Sequence, residues 1–260
     1  MCSHRSLIIF TLLIQAAVGS CINLLIAKVW FPDIITSAIS GMMLFISVGI
    51  CLIGLVISIA HLGKPANSYN AIRNLKRSWL SKEILIVNFF TGSLVITIGC
   101  HYIFSGIFET ELLITNCLVG LGAVQVMVKV YQIRTVPLWN HARTQIHFFA
   151  SVLLLGSGLF MGGVFVIEGF QMVLQFQKIS LIIAFIGFLM KLSVLWFEVK
   201  STAYRSSKTR QLPIFQGSFI SIWIISALFF PNWILFSLAL LCLITGETMN
   251  RNQFYRSVLH

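Results

Sequence analysis

Charged side chains are scarce in this chain. Of its 260 residues, 10% are Asp, Glu, Lys or Arg and 58% are hydrophobic. Soluble domains carry about 25% charged residues, so this composition cannot cover a surface that faces water. It excludes an ordinary soluble protein and predicts an all-α integral membrane protein, which we treat as one domain over residues 1–260.

The usual signatures of metal and nucleotide sites are also missing. No Cys-x-x-Cys pair occurs, and five of the six cysteines lie inside apolar runs, so neither a zinc site nor an iron–sulfur site is predicted. There is no G-x-x-x-x-G-K, H-E-x-x-H or Gly-rich dinucleotide turn. Nothing predicts nucleic-acid binding, because the loops account for the net charge of +11.

The sequence does contain a series of long apolar runs. A helix needs about 20 apolar residues to cross a hydrocarbon core about 30 Å thick. Eight runs approach or exceed that length, and they predict a polytopic bundle of eight transmembrane helices. They cover approximately residues 7–27, 34–60, 84–104, 112–128, 146–167, 179–197, 214–230 and 233–246.

Three of these runs need comment. Only Pro231 and Asn232 separate the last two, so we predict a helical hairpin there. The first run follows His4 and Arg5, as a signal peptide would, but its apolar core exceeds the usual length of about 7–15 residues. No small-residue cleavage site follows it, and we expect a retained helix.

Basic side chains fall on one side of the predicted bundle. Fifteen of the 18 Lys and Arg residues lie in the two tails or in the second, fourth and sixth loops. With eight spans these segments share one face, which the positive-inside rule makes cytoplasmic, together with both termini. Only Lys28 and Lys178 lie on the other face, while Lys191 lies within a span.

The longest polar segment is HLGKPANSYNAIRNLKRSWLSKEI, which begins at His61. Part of it has a plain structural explanation: His61 suits a helix C-terminus, and Ser81 can cap the next helix with Glu83 in its first turn. Residues 66–80 suit a short amphipathic helix on the membrane surface. The segment also combines a histidine, which exchanges protons near neutral pH, with a carboxyl group at a membrane boundary.

Four passages, in sequence order, resemble one known family. The protein is similar to the membrane-anchor subunit of dimethyl sulfoxide (DMSO) reductase in LIIFTLLIQ at 7–15, HLGKP at 61–65 followed by LSKEI at 80–84, VYQIRTVPLW at 130–139 and GETMNRNQFY at 246–255. The resemblance covers most of the sequence. Four collinear passages are much harder to obtain by chance than one.

The resemblance implies a function in anaerobic respiration at the bacterial inner membrane. Such a subunit oxidises menaquinol and passes the electrons to an iron–sulfur subunit, which supplies a molybdopterin catalytic subunit. It holds no haem, iron–sulfur cluster or other metal of its own. The choice of terminal electron acceptor belongs to the catalytic subunit, which this chain does not contain.

The family associates its quinol site with the histidine of H-L-G-x-P and the glutamate of L-S-x-E-I, here His61 and Glu83. His61 would accept a proton or bond a quinol hydroxyl, and Glu83 would relay the proton or stabilise charge. Residues 61–83 would then form both the entrance to the quinol site and a surface on which the partner subunit docks. Arg73 and Arg77, one helical turn apart, could contact the quinol site, the iron–sulfur partner or lipid phosphates.

Two further charged residues are candidates for the quinol site. Lys191 lies inside the sixth run, where an ammonium costs at least about 2.5 kcal/mol, so it must pair, face a cavity or snorkel. Glu198, seven positions on, shares its helical face. Glu247 and Arg251 have the i, i+4 spacing of an ion pair, which leaves Glu247 either a structural role or a place near the quinol.

Other functions remain open. His101 and His147 would be haem ligands only if paired histidines stood at both faces, and the sequence supplies too few. A secondary transporter would need internal repeats and broken helices at matching positions, of which we find no convincing example. A purely structural anchor or assembly factor would need neither His61 nor Glu83, so whether the protein has an enzymatic site is itself an open question.

Overall fold

The computed structural model describes residues 3–61, 75–76, 78–104, 106–132, 139–200 and 233–256. Within these residues all regular secondary structure is α-helical, which confirms the predicted class for this part of the protein. The helices are α1 (Ser3–Trp30), α2 (Ser37–His61), α3 (Trp79–Ile103), α4 (Glu109–Tyr131), α5 (Ala142–Glu168), α6 (Phe170–Lys200) and α7 (Trp233–Arg256).

Six of these helices, α1 to α6, are long and apolar enough to cross a membrane, by length and composition. They correspond to the first six predicted spans, and the protein is a multi-pass membrane protein. Helix α7 covers the eighth predicted span, whereas the seventh, at 214–230, lies outside the described residues. The count of eight spans therefore stays a prediction.

Several helices extend beyond the apolar runs that predicted them. Helix α6 begins at Phe170, not at residue 179, because the stretch FQMVLQFQK contains neither Gly nor Pro and continues the helix. A single residue, Gly169, separates it from α5 with a φ of 79°, a conformation that glycine adopts at little cost. Helix α7 continues past residue 246 to Arg256 through polar residues.

Helix α1 lies at the centre of the bundle, in contact with α2, α4, α5, α6 and α7. It approaches α5 closely beside Gly156, where a Cβ atom built on Gly19 would lie 1.9 Å from a backbone oxygen. Small residues permit such backbone contact between membrane helices. One turn on, Asn23 bonds Ser157 of α5 (3.3 Å) and accepts a hydrogen bond from Ser180 of α6 (3.1 Å).

Helices that follow one another through short connections run in opposite directions. Helices α5 and α7 are also antiparallel, because Phe165 packs on Phe236 while Ser151 bonds Glu247. The starts of α1, α3 and α5 and the ends of α2, α4, α6 and α7 therefore share one end of the bundle. We call it the basic end and the other the opposite end. The start of the first described helix and the end of the last thus lie on the same side.

Candidate functional site

Helix α3 begins at the basic end, within the segment predicted to bind quinol. Its N-cap is Ser78, whose Oγ accepts a hydrogen bond from the backbone N–H of Ser81 (3.3 Å). The predicted cap, Ser81, is therefore wrong, because Ser78 already satisfies a free N–H group and Trp79 and Leu80 lie in the first turn. As a result Glu83 lies in the second turn.

The carboxyl group of Glu83 is buried in the bundle. The residue is 2% exposed, and its Oε1 has no hydrogen-bond partner among the residues that the structure describes. The neighbouring Lys82 is half-buried, with its Nζ 4.1 Å from the centre of the Trp79 ring. A buried acceptor without a partner is costly, so a ligand that donates a hydrogen bond to Glu83 would relieve that cost.

The other residues assigned to this site are only partly described. His61 is the last residue of α2, so its backbone lies at the basic end, as Glu83 does. The side chain of His61 and the whole of Arg73 and Arg77 lie outside the described residues. Most of the predicted surface helix at 66–80 lies outside them too, and its last two residues begin α3.

A second buried polar cluster joins α5, α6 and α7. Lys191 is 1% exposed and forms an ion pair with Oε1 of Glu247, which is 2% exposed. The hydroxyl of Ser151 donates to the other carboxylate oxygen (2.7 Å). Both oxygens of Glu247 and the ammonium of Lys191 thus have partners inside the bundle, which a buried charge requires.

The described partner of Lys191 differs from the one that the sequence suggested. Spacing along α6 favoured Glu198, whose side chain lies outside the described residues. The ion pair that the structure describes joins Lys191 to Glu247 of α7. A sequence shows which residues share a face of one helix, but the approach of another helix depends on tertiary packing.

Arg251 extends this cluster to α1. Its Nη2 donates a hydrogen bond to Oε1 of Gln15 (2.9 Å), and its guanidinium carbon lies 3.8 Å from the centre of the Phe148 ring. All three residues are buried. The contacts described for Arg251 and Glu247 are therefore with residues of other helices. Their i, i+4 spacing had suggested an ion pair between the two.

Three of the four passages singled out in the sequence meet at the basic end. Trp139 donates from Nε1 to the backbone oxygen of Phe254 (3.0 Å), and the two rings stack with centroids 5.1 Å apart. Tyr131 packs edge-on against both rings. Through Arg251 the closing passage also reaches Gln15 of the first. The fourth passage supplies Glu83 at the same end of the bundle.

The two histidines considered as haem ligands lie at different ends of the bundle. His147 lies near the start of α5, and His101 near the end of α3. Both ring nitrogens of His101 are engaged, Nδ1 with Glu109 (2.9 Å) and Nε2 with Ser37 (3.1 Å). Across the described ranges, no group of three or more His, Cys, Asp or Glu residues could hold a metal ion.

A comparison with protein families points in the same direction as the contacts between these passages. Residues 2–256 match the family described as the DMSO reductase anchor subunit. The protein belongs to this family. The resemblance seen in four short passages is thereby confirmed over nearly the whole length of this protein.

Two curated relatives have corresponding names. The C subunit of the anaerobic dimethyl sulfoxide reductase of Haemophilus influenzae is 27% identical over 157 residues, and the anaerobic dimethyl sulfoxide reductase subunit YnfH of Escherichia coli K12 is 32% identical over 161 residues. Each alignment covers 58% of this protein and 54% of the relative, so the match spans about half the length of these relatives. No solved structure matches the sequence significantly.

Proposed function

We propose that this protein anchors an oxidoreductase complex of the DMSO reductase type in the bacterial inner membrane and oxidises menaquinol for it. Family membership and the multi-pass bundle support the anchoring role. The names of the two relatives support the type of complex. Quinol dissolves in the lipid phase, so the anchor is the subunit that a quinol reaches first.

The buried carboxylate oxygen of Glu83 is the observation that carries the quinol proposal. A quinol has two hydroxyl groups, each able to donate a hydrogen bond, and Oε1 of Glu83 is an acceptor without a partner among the described residues. Glu83 lies about 6 Å along α3 from Trp79, at ~1.5 Å per residue. A headgroup entering at the membrane boundary would therefore need to travel only one helical turn to reach it.

The chemistry of the site follows from the balance of the reaction. Each quinol that becomes a quinone releases two electrons and two protons. The electrons pass to an iron–sulfur cluster in a partner subunit. Glu83 accepts a proton from one hydroxyl, and His61, at the end of the adjacent helix α2, accepts the other proton or bonds the second hydroxyl.

Lys191 and Glu247 support this site indirectly. Each oxygen of Glu247 already has a buried partner, Ser151 or Lys191, so this carboxylate needs a quinol hydroxyl less than Glu83 does. We therefore assign the pair to holding α7 in place. With Arg251 and Gln15 it fixes the closing passage of the sequence at the basic end.

The segment 61–83 is also the proposed docking surface. It follows the end of α2 and leads into α3, so it joins the helices that carry His61 and Glu83. Arg73 and Arg77 are assigned here to contacts with the iron–sulfur subunit, which in turn holds the molybdopterin catalytic subunit. Docking beside the quinol would keep the distance for electron transfer short.

The proposal is tested by Glu83→Gln in membranes that carry the assembled complex. Loss of the proton acceptor should lower oxidation of a menaquinol analogue by about 100-fold, the size expected for a general base. A soluble dye that feeds electrons directly to the catalytic subunit should support the wild-type rate. The matched control is Glu111→Gln, which changes an exposed carboxyl group of α4 and should leave quinol oxidation unchanged.

The same measurement separates the competing functions. A purely structural anchor predicts full quinol oxidation in Glu83→Gln with the partner subunits still bound to the membrane. A secondary transporter predicts that no iron–sulfur subunit purifies with the protein. Either result would overturn the proposal.

A further inference from the structure

The opposite end of the bundle contains a titratable cluster that quinol oxidation does not use. We infer that Lys28, Ser37, His101 and Glu109 form a proton-binding site that exchanges protons with the aqueous phase at that end. The four residues come from α1, α2, α3 and α4. His101 and Glu83 lie on the same helix but are about 27 Å apart, at ~1.5 Å per residue. The two sites are therefore separate.

Glu109 is the centre of the cluster. Its Oε2 accepts a hydrogen bond from Nζ of Lys28 and lies 2.9 Å from Nδ1 of His101. Its Oε1 is buried and has no hydrogen-bond partner in the described part of the protein. One carboxylate oxygen thus contacts two basic groups, and the other can still accept a hydrogen bond. A structural ion pair does not require this second acceptor.

His101 can gain or lose a proton without leaving a ring nitrogen unsatisfied. In the neutral ring, Nδ1–H donates to Glu109 and Nε2 accepts from the hydroxyl of Ser37, 3.1 Å away. In the protonated ring, Nε2–H donates to the same hydroxyl, because a serine oxygen can accept as well as donate. Burial normally penalises one of two protonation states, but here both are hydrogen-bonded.

The contacts that the structure describes around His101 involve two charged groups. Lys28 and Glu109 are the charged groups that face the ring, from α1 and α4, while α2 contributes Ser37. Within α3 itself, Tyr102 packs edge-on at 5.0 Å between ring centroids. Protonation of His101 therefore changes the net charge of this small group of residues substantially.

The cluster also reaches the surface of the protein. The side chain of Lys28 is 22% exposed, whereas that of Glu109 is 2% exposed. The connection between α3 and α4 packs against the carboxylate of Glu109. A Cβ atom built on Gly106 in this connection would lie 3.1 Å from Oε2. The cluster thus lies just beneath the surface of the bundle, with Lys28 between the aqueous phase and the buried carboxylate.

The test follows the protonation of His101 directly. The full-length protein, labelled with carbon-13 at histidine Cε1 and purified in detergent, would be titrated by NMR, with His101→Gln identifying the signal. The titration would run from about pH 5 to about pH 9, and a ring that exchanges its proton should give a signal that moves. Glu109→Gln should lower the proton affinity of the ring at least about tenfold, because an adjacent opposite charge favours the protonated form.

Ser37→Ala is the milder companion variant, and exposed His141 is the internal reference in every spectrum. Loss of the hydroxyl should lower the proton affinity of His101 by up to about fivefold, because the hydrogen bond of the charged ring is stronger than that of the neutral ring. A His101 signal that is constant over the whole range overturns the inference. So does a titration that is the same in wild type and both variants. Neither readout depends on quinol oxidation.

Discussion

At the scale of single residues, Lys191 shows how this bundle accommodates a buried charge. Its ammonium lies among apolar helices, yet Glu247 neutralises it and Ser151 satisfies the remaining carboxylate oxygen. Three helices each contribute one group. The cost of removing one charge should therefore exceed the cost of removing both, since a lone buried charge has no compensation.

Lys191→Met should lower the free energy of unfolding by about 3–5 kcal/mol, because it leaves Glu247 buried without its charge partner. The double variant Lys191→Met/Glu247→Leu should recover most of that loss. Unfolding of the purified protein in detergent by added SDS would measure both. Equal destabilisation by the single and the double variant would contradict a stabilising ion pair in this position.

Some residues of the candidate site could be predicted from the sequence, and others could not. Glu83 was identified through its motif, and the structure adds that it is buried, with one acceptor oxygen unpartnered among the described residues. The link between Lys191 and Glu247 was missed because it joins residues 56 positions apart. The pair of His101 and Glu109 left a weak signal, a histidine and a glutamate flanking one short connection, but the ion pair to Lys28 spans 81 positions.

At the scale of helices, packing of α1 depends on a residue without a side chain. Gly19 lies against α5 at Gly156, and no larger residue fits there unless the two backbones separate. By contrast, a Cβ atom on Gly49 of α2 would meet nothing within 4 Å. The two glycines make a matched pair, because both lie in long apolar helices.

Gly19→Ala should destabilise the purified protein by about 1–3 kcal/mol, the usual cost of forcing extra volume into a packed contact. Gly49→Ala should leave stability unchanged or raise it by up to about 1 kcal/mol, because alanine favours a helix. The same SDS unfolding measures both variants. If the two substitutions have equal effects, the α1–α5 contact is looser than described.

The positions of the helices were more predictable than their ends. Apolar runs located α1 to α6 because burial in lipid demands continuous hydrophobicity. They did not locate the start of α6 at Phe170 or the end of α7 at Arg256, because polar residues continue a helix once Gly and Pro are absent. Likewise, the predicted cap of α3 was Ser81, whereas the structure has Ser78 in that position, three residues earlier.

At the scale of the whole molecule, the distribution of polar clusters gives the bundle two different ends. Glu83, the aromatic contacts of Trp139 and the described end of α7 lie at the basic end. The cluster around Glu109 lies at the other. The excess of Lys and Arg predicts that the basic end faces the cytoplasm.

This orientation can be measured with single cysteines in a protein freed of its native ones. Asn140→Cys and Asp33→Cys replace exposed residues at the basic and the opposite end. A maleimide that does not cross membranes should label Asp33→Cys in intact cells and Asn140→Cys only after the membrane is opened. The reverse pattern would contradict the charge rule for this protein and place the quinol site on the outer side.

The central claim is that the basic end oxidises quinol, and His61 tests it most directly. Membranes with the assembled complex would be assayed for menaquinol-analogue oxidation in wild type, His61→Ala and the control His141→Ala, an exposed histidine at the same end. We expect a loss of about 100-fold in His61→Ala alone, with the partner subunits bound and dye-driven catalysis intact. Unchanged quinol oxidation in His61→Ala, with the partners bound, would contradict the account. His61 would then have only a structural role at the end of α2.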